Sequence, residues 1–252
     1  MIRAVTGEDP AFLEFLQRED VFAAYLFTRY ETFGQDMRRI CFWKQEREGE
    51  ILGAASLNDG ELILCGEFLP EELCSFVQMS GGRRVLGPYR ALSALSEHFD
   101  RGLTARAILR FPPEKPLPPE EEIFRPRLEE VFSLLRETFE EMRDMPFDLW
   151  YTGVSHKLRH GLAVVAGREE DGKLASTAGI YNGNRALEVL GAVATRPEHR
   201  GRGFAGGLVL ALAAGARARG HIPYIVSKNE GARRLYEQLG FVCVGQCCAL
   251  SL

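Results

Sequence analysis

The segment best equipped for chemistry is Gly191-Ala-Val-Ala-Thr-Arg-Pro-Glu-His-Arg-Gly-Arg-Gly-Phe-Ala-Gly-Gly207, read as a strand, a Gly- and Arg-rich turn and the start of a long helix. Such a turn is suited to holding phosphate. Gly201 and Gly203 allow the backbone to approach closely, the first N–H groups of a helix from about Phe204 lack intrahelical partners, and the helix dipole adds partial positive charge. Arg200 and Arg202 supply charge-assisted donors. The plainer alternative, a surface turn with two solvated arginines, stays open on this segment alone. Gly201, Gly203 and Gly206 also fit G-x-G-x-x-G, but the context is wrong for dinucleotide binding. Arg196 to Arg200 separate the strand from the first glycine, and the next strand, Pro223 to Ser227, is followed by Lys228 and Asn229 rather than an acid.

The elements that must position this turn form a meander: Leu162 to Ala166, a turn at Asp171-Gly172, Leu174 to Tyr181, a turn at Asn182-Gly183, and Ala186 to Ala194. Asp-Gly and Asn-Gly between apolar runs are strong hairpin signals because they tolerate positive φ. Helical segments at Leu128 to Met142 and Leu149 to Arg159 precede it. The first half shows the same order: helices at Ala11 to Gln17 and Val21 to Phe33, then strands at Ile40 to Gln45, Ile51 to Leu57 and Glu61 to Cys65, with turns at Arg47 to Glu50 and Asn58 to Gly60. In both halves a helix, a strand, a helix and a closing strand follow. Between them, Phe111 to Glu120 holds five of the twelve prolines and reads as a semi-rigid spacer. The fold class is therefore α/β (α+β), two tandem domains over residues 1–112 and 118–252, each a mixed, mostly antiparallel sheet flanked by helices.

Composition narrows the function. The 252 residues are 46% hydrophobic and 26% charged, as in globular proteins, and a net charge of −4 excludes a general nucleic-acid binder. The apolar run from Leu208 to Ala216 is far shorter than the ~20 residues of a membrane span, and the N-terminus lacks a signal pattern, so a cytoplasmic protein with no membrane partner is expected. The six cysteines form no C-x-x-C pair; reduced thiols and no metal site are expected. His156 and His160 have a metal-compatible i, i+4 spacing but no third ligand in sequence, which favours a solvated helix face.

Arg200-Gly-Arg-Gly203-Phe-Ala205 resembles the pyrophosphate signature of the GNAT N-acyltransferase superfamily, and Asn229-Glu-Gly-Ala232-Arg-Arg-Leu235-Tyr236-Glu-Gln-Leu-Gly240-Phe241 resembles its second conserved segment at the expected distance. The spelling from Ala194 to Arg200 is similar to the glycine N-acyltransferase-like branch. The likeness covers roughly residues 120–252. It implies that acetyl-CoA, or another acyl-CoA, lies between two splayed strands, with the backbone of Val193, Ala194 and Thr195 pairing to the pantetheine arm and Arg200, Gly201, Arg202, Gly203, Phe204 and Ala205 taking the pyrophosphate. Asn229 would contact the cofactor or cap a helix. Tyr236 would protonate the departing thiolate or simply pack beside Leu235 and Leu239. Glu188, the only carboxylate on the cleft strand, is the candidate base, beside a surface charge and a water relay as alternatives. Trp150 and Tyr151 would border the acceptor pocket or pack in the core.

In the first half, Gly66-Glu-Phe-Leu-Pro-Glu-Glu-Leu73 stands where the phosphate turn would be, and Glu71 and Glu72 would repel a pyrophosphate. That half reads as a degenerate GNAT-like copy that supports the second or shapes its acceptor pocket. The expectation is an acyl-CoA-dependent N-acyltransferase acting on a primary amine of a small molecule or amino-acid-like acceptor; the alternative is a CoA sensor or partner-binding module. A chain beginning near Pro118 should then keep acetyl-CoA binding. The acceptor and the oligomeric state stay open.

Overall fold

Turn chemistry sets the local frame. Glu48-Gly49, Asp59-Gly60 and Asp171-Gly172 each carry two consecutive positive φ angles (56° and 87°, 49° and 81°, 52° and 72°), the geometry that lets a two-residue loop follow the strand twist. The computed structural model describes residues 1–34, 39–119 and 123–252. The first half runs β1 (Ile2–Ala4), α1 (Pro10–Phe15), α2 (Val21–Phe33), β2 (Ile40–Arg47), β3 (Glu50–Asn58), β4 (Glu61–Gly66), α3 (Pro70–Ser80), β5 (Arg84–Pro88), α4 (Tyr89–Phe99) and β6 (Leu103–Arg110). The second runs α5 (Leu128–Thr138), α6 (Phe147–Arg159), β7 (Val164–Glu170), β8 (Lys173–Gly183), β9 (Leu187–Thr195), α7 (Phe204–Ala218), β10 (Ile222–Val226), α8 (Glu230–Leu239) and β11 (Val242–Ser251).

The two halves share one eleven-stranded sheet, ordered β1-β2-β3-β4-β5-β11-β6-β10-β9-β8-β7. It is mixed and mostly antiparallel: among the described strands only β4–β5 and β9–β10 pair in parallel. Where two separate sheets were expected, the closing strands have crossed over. β6, the last strand of the first half, pairs with β10 (Val226 opposite Ile108) and with β11. β11, the last strand of the chain, pairs with β5 (Ser251 opposite Arg84) and with β6. The division at 112 and 118 thus separates two runs of sequence that a single sheet rejoins.

Burial explains the exchange. β6 places Ile108 in the cluster under α2 and Leu109 in the cluster under α7, and Phe111 just beyond it is fully buried against Phe241 at a ring distance of 5.0 Å. The C-terminal end of β6 is thus buried on both faces, as suits the middle of a sheet, while Thr104 to Arg106 stay exposed. The start of the proline-rich segment is consequently docked, with Arg217 donating to the Pro112 carbonyl at 2.8 Å.

α1, α2, α5 and α6 cover one face of the sheet, and α3, α4, α7 and α8 cover the other; Val189 and Leu190, adjacent in β9, join clusters on opposite faces. The turn expected at Asn182-Gly183 lies one step later. Buried Asn184 accepts from the backbone N–H of Ala186 and Leu187 and donates to the Leu16 and Arg18 carbonyls at 2.7 and 2.9 Å, so tertiary contacts to the end of α1 set this hairpin. Among the described residues no helix is long and apolar enough to cross a membrane.

Candidate active site

The parallel register of β9 with β10 ends at Leu190 opposite Ile225. Beyond it β10 stays with β6, through Val226 opposite Ile108 and a Ser227 N–H to Ala107 carbonyl bond of 2.9 Å. β9 bulges at Ala192 (φ 51°) and stays with β8 as far as Thr195, opposite Ser176. A splay opens between the two strands. Val193, Ala194 and Thr195 form its β9 wall, with no strand paired on the β10 side.

The turn follows directly. Pro197–His199 form one 3₁₀ turn, Gly201 has φ 77°, and Gly203 (φ 81°, ψ −1°) caps α7 with no side-chain bond to the first turn. No acid occupies that first turn, and a Cβ added at Gly201 or Gly203 would meet nothing within 4 Å. Both glycines are therefore set by φ, and the space above them is open. Arg196 is structural, donating to the Leu174 carbonyl at 2.9 Å and to Glu137 at 2.6 Å. Arg200 Nε donates to the Thr195 carbonyl at 3.2 Å and has no carboxylate partner among the described residues. Arg202 lies 3.1 Å from His199 Nδ1 and 3.5 Å from Glu170, with its guanidinium over the Phe204 ring.

The corresponding helix of the first half is closed by its own chain. At the start of α3, Glu72 accepts from Gln45 Nε2 at 2.9 Å and lies 3.1 Å from the Met1 amino group, while Gln45 Oε1 accepts the Leu69 N–H at 2.8 Å. Glu71 and Glu72 thus stand in the first turn of α3, where the first turn of α7 has no acid.

Tyr236 sits on α8 in the buried cluster that includes Leu190 and Ile225, the pair at which the strands part. Burial pushes its phenol up to about 12, so the proton stays on at neutral pH. Asn229 caps α8, its Oδ1 accepting the Ala232 N–H at 2.9 Å. Glu188 is not brought to the splay. Its side chain, 13% exposed, is held by Arg219 at 3.1 and 2.7 Å and lies 3.1 Å from His221 Nδ1, out of hydrogen-bond alignment. It lines a different cavity, with Arg185 and Ile180. One position along a strand decides the face, and no pattern in β9 reveals which. His156 and His160 stack on each other at 4.1 Å, with His160 Nδ1 on the His156 carbonyl.

A cavity of about 390 Å³ opens on the face of α2 and α6, where neither helix pair covers the middle of the sheet. Leu190, Gly191 and Ala192 form its β9 wall, so it meets the splay; Trp150 lines it, whereas half-exposed Tyr151 packs on Phe147 instead. The first half contributes Tyr25, Arg84, Leu86, Thr104 and Arg106. Sequence reading missed these residues because they belong to three separate elements that only the sheet assembles. Tyr181 also lines the cavity, and its buried hydroxyl has no hydrogen-bond partner among the described residues. An unpaired buried hydroxyl is destabilising, so Tyr181→Phe should raise stability by about 1 kcal/mol in denaturant melts. A loss of stability would place a partner on that oxygen.

The FR47-like protein family model matches residues 176–250, the stretch holding β8 through most of β11. No curated protein matches the chain. Among solved structures, a GCN5-related N-acetyltransferase from Sphaerobacter thermophilus is similar at a TM-score of 0.65 and 18% identity, over 99% of this chain and 94% of that one. A tandem GNAT protein from the clavulanic acid biosynthesis pathway aligns at a TM-score of 0.65 and 12% identity, over 100% and 98%. A GNAT-family acetyltransferase from Colwellia psychrerythraea aligns at 0.61 and 14%, over 100% and 99%. With a splay between β9 and β10, a cavity at the point where they part and a glycine-capped helix after β9, the chain has the fold of the GNAT acetyltransferases, and its residues 176–250 match the FR47-like family model.

Proposed function

We propose that the protein is an acetyl-CoA-dependent N-acyltransferase that transfers an acetyl group to a primary amine of a small molecule. The observation that carries this reading is the end of the β9–β10 register at Leu190, with the cavity lined by Leu190 to Ala192 where the strands part, and a glycine turn and the N-terminus of α7, free of any side-chain cap, following at the end of β9. The residues suit acetyl-CoA. Unpaired N–H groups from Phe204 onward and the Arg200 guanidinium would take the pyrophosphate, and the β9 backbone from Val193 to Thr195 would pair with the pantetheine arm, a main-chain use that side chains hardly affect. Bound acetyl-CoA supplies a thioester carbon open to attack.

The cavity holds the acceptor amine against the splay. The amine nitrogen attacks the thioester carbon, the C–S bond breaks, and the sulfur leaves with a proton from the Tyr236 phenol. The amine's own proton passes to water, because Glu188 is committed to Arg219. Asn229, with one side-chain oxygen used as the α8 cap, keeps its amide N–H groups for the cofactor. A non-catalytic CoA sensor would use the same turn without Tyr236. The chain would act in the cytoplasm.

The test is Tyr236→Phe, which keeps the ring and removes the acid. Turnover at saturating substrate should fall by about 10²- to 10⁴-fold while acetyl-CoA affinity stays. Because the phenol titrates near 12, the two proteins should share the same pH profile below about pH 10 and differ in height alone. A fall of less than roughly threefold would leave Tyr236 a packing role.

A further inference from the structure

We propose that the acceptor carries an anionic group as well as its amine, and that Arg106 of the first half, assisted by Arg84, is the specificity-determining cation that holds it. This deepens the acyltransferase reading and rests on it. The charged side chains lining the cavity are Arg84, Arg106, Glu141 and Lys228. Glu141 and Lys228 face each other at 3.5 Å, with Lys228 also over the Phe139 ring, so they satisfy one another. Arg84 reaches Glu61 Oε2 at 3.4 Å while Arg29 holds Oε1 of the same carboxylate at 2.7 Å, so one negative charge serves two guanidinium groups. The Arg106 side chain makes no hydrogen bond and no ion pair within 4 Å among the described residues; its charge reaches Glu141 only at longer range, where it helps Lys228 hold that carboxyl below its usual range. The balance is positive, and it comes from β5 and β6.

The sheet aims this charge at the right place. Arg106 lies opposite Cys247 of β11, another lining residue, and β6 is separated from β9 by β10 alone. Two strand spacings are about 10 Å, a gap that an extended arginine and a small amino acid bridge together. The rest of the lining is mainly apolar, including Leu86, Leu135, Phe139, Trp150 and Val189, while Arg106 and Arg84 stand exposed at its rim, where a charge-assisted pair fixes the orientation of an acceptor seated on the apolar wall. A planar guanidinium grips a carboxylate or a phosphate in the same way; the shared feature is the two-oxygen anion. The exchange of β6 and β11 is what carries first-half side chains into a site whose cofactor elements belong to the second half.

The experiment uses the full chain with acetyl-CoA and amines in matched neutral, carboxylate and phosphate forms: ethanolamine, β-alanine and O-phosphoethanolamine, with phenethylamine and phenylalanine as an apolar pair. Release of CoA thiol gives kcat/KM. A second readout is the melting temperature of the CoA-loaded protein with each N-acetylated product, which needs no turnover. An anionic member should exceed its neutral mate roughly tenfold to a hundredfold in kcat/KM, and its product alone should raise the melting temperature. The carboxylate and phosphate arms identify which anion is preferred. Arg106→Gln should erase the preference through KM and leave acetyl-CoA affinity unchanged; Arg106→Lys should restore part of it. Equal use of neutral and anionic amines, a preference that survives Arg106→Gln, or no product-induced shift in any arm overturns the proposal. Failure of acetyl-CoA itself to bind would instead overturn the acyltransferase reading.

Discussion

Gly203→Glu should abolish acetyl-CoA binding, raising the dissociation constant by at least a hundredfold in calorimetry, while the protein stays folded. Gly203 is the N-cap of α7 in the left-handed region, and the space where its Cβ would lie is empty. Crowding by protein is therefore not the cause. Holding a non-glycine residue at that φ costs about 1–2 kcal/mol, which a carboxylate at a helix N-terminus partly offsets by about 0.3–1 kcal/mol. Binding is where the penalty falls. A carboxylate about 4 Å from a pyrophosphate oxygen near the surface repels it by about 4 kcal/mol, close to a thousandfold. Gly203→Ala separates the causes, since it keeps the φ cost without the charge and should weaken binding far less. Unaltered affinity in the Glu variant would mean that the turn does not hold the cofactor.

A chain beginning at Pro118 should fail to fold, showing no cooperative thermal transition by circular dichroism. This reverses what the spacer-like proline segment suggests. Such a chain lacks β5 and β6, so β10 loses one neighbour and β11 loses both of its own, and the cores lose Ile108, Leu109 and Phe111. Each of these side chains contributes about 1.5–3 kcal/mol by burial, and together they rival the 5–15 kcal/mol by which whole proteins are stable. Two long exposed edges would also invite aggregation. A chain beginning at Gly102 keeps β6 and should recover part of the folded signal. If the shorter chain folds and binds acetyl-CoA, β6 is dispensable and the halves are independent.

What the sequence determined by itself was local. The paired turns at Asp59-Gly60 and Asp171-Gly172 follow from φ preferences of single residues, so the hairpins they close stand where those residues stand. The glycine turn before α7 was legible for the same reason: Gly201 and Gly203 sit at positive φ, and Gly203 caps the helix with no side-chain bond. α2 begins at Val21 and ends at Phe33, as the apolar run and Gly34 imply, with Asp20 accepting from the first turn. Only the tertiary structure decided the rest. Burial on both faces drew β6 and β11 past their own halves, a choice between equivalent strand partners that no local signal encodes. The face of Glu188 depended on which strand bulged, and the turn at Asn184 on a carbonyl pair 166 and 168 residues away. Arg84 and Arg106 became neighbours of the splay through pairing across the whole chain, because a side chain's chemistry is local while its address in a sheet is set by the pairing of every strand between.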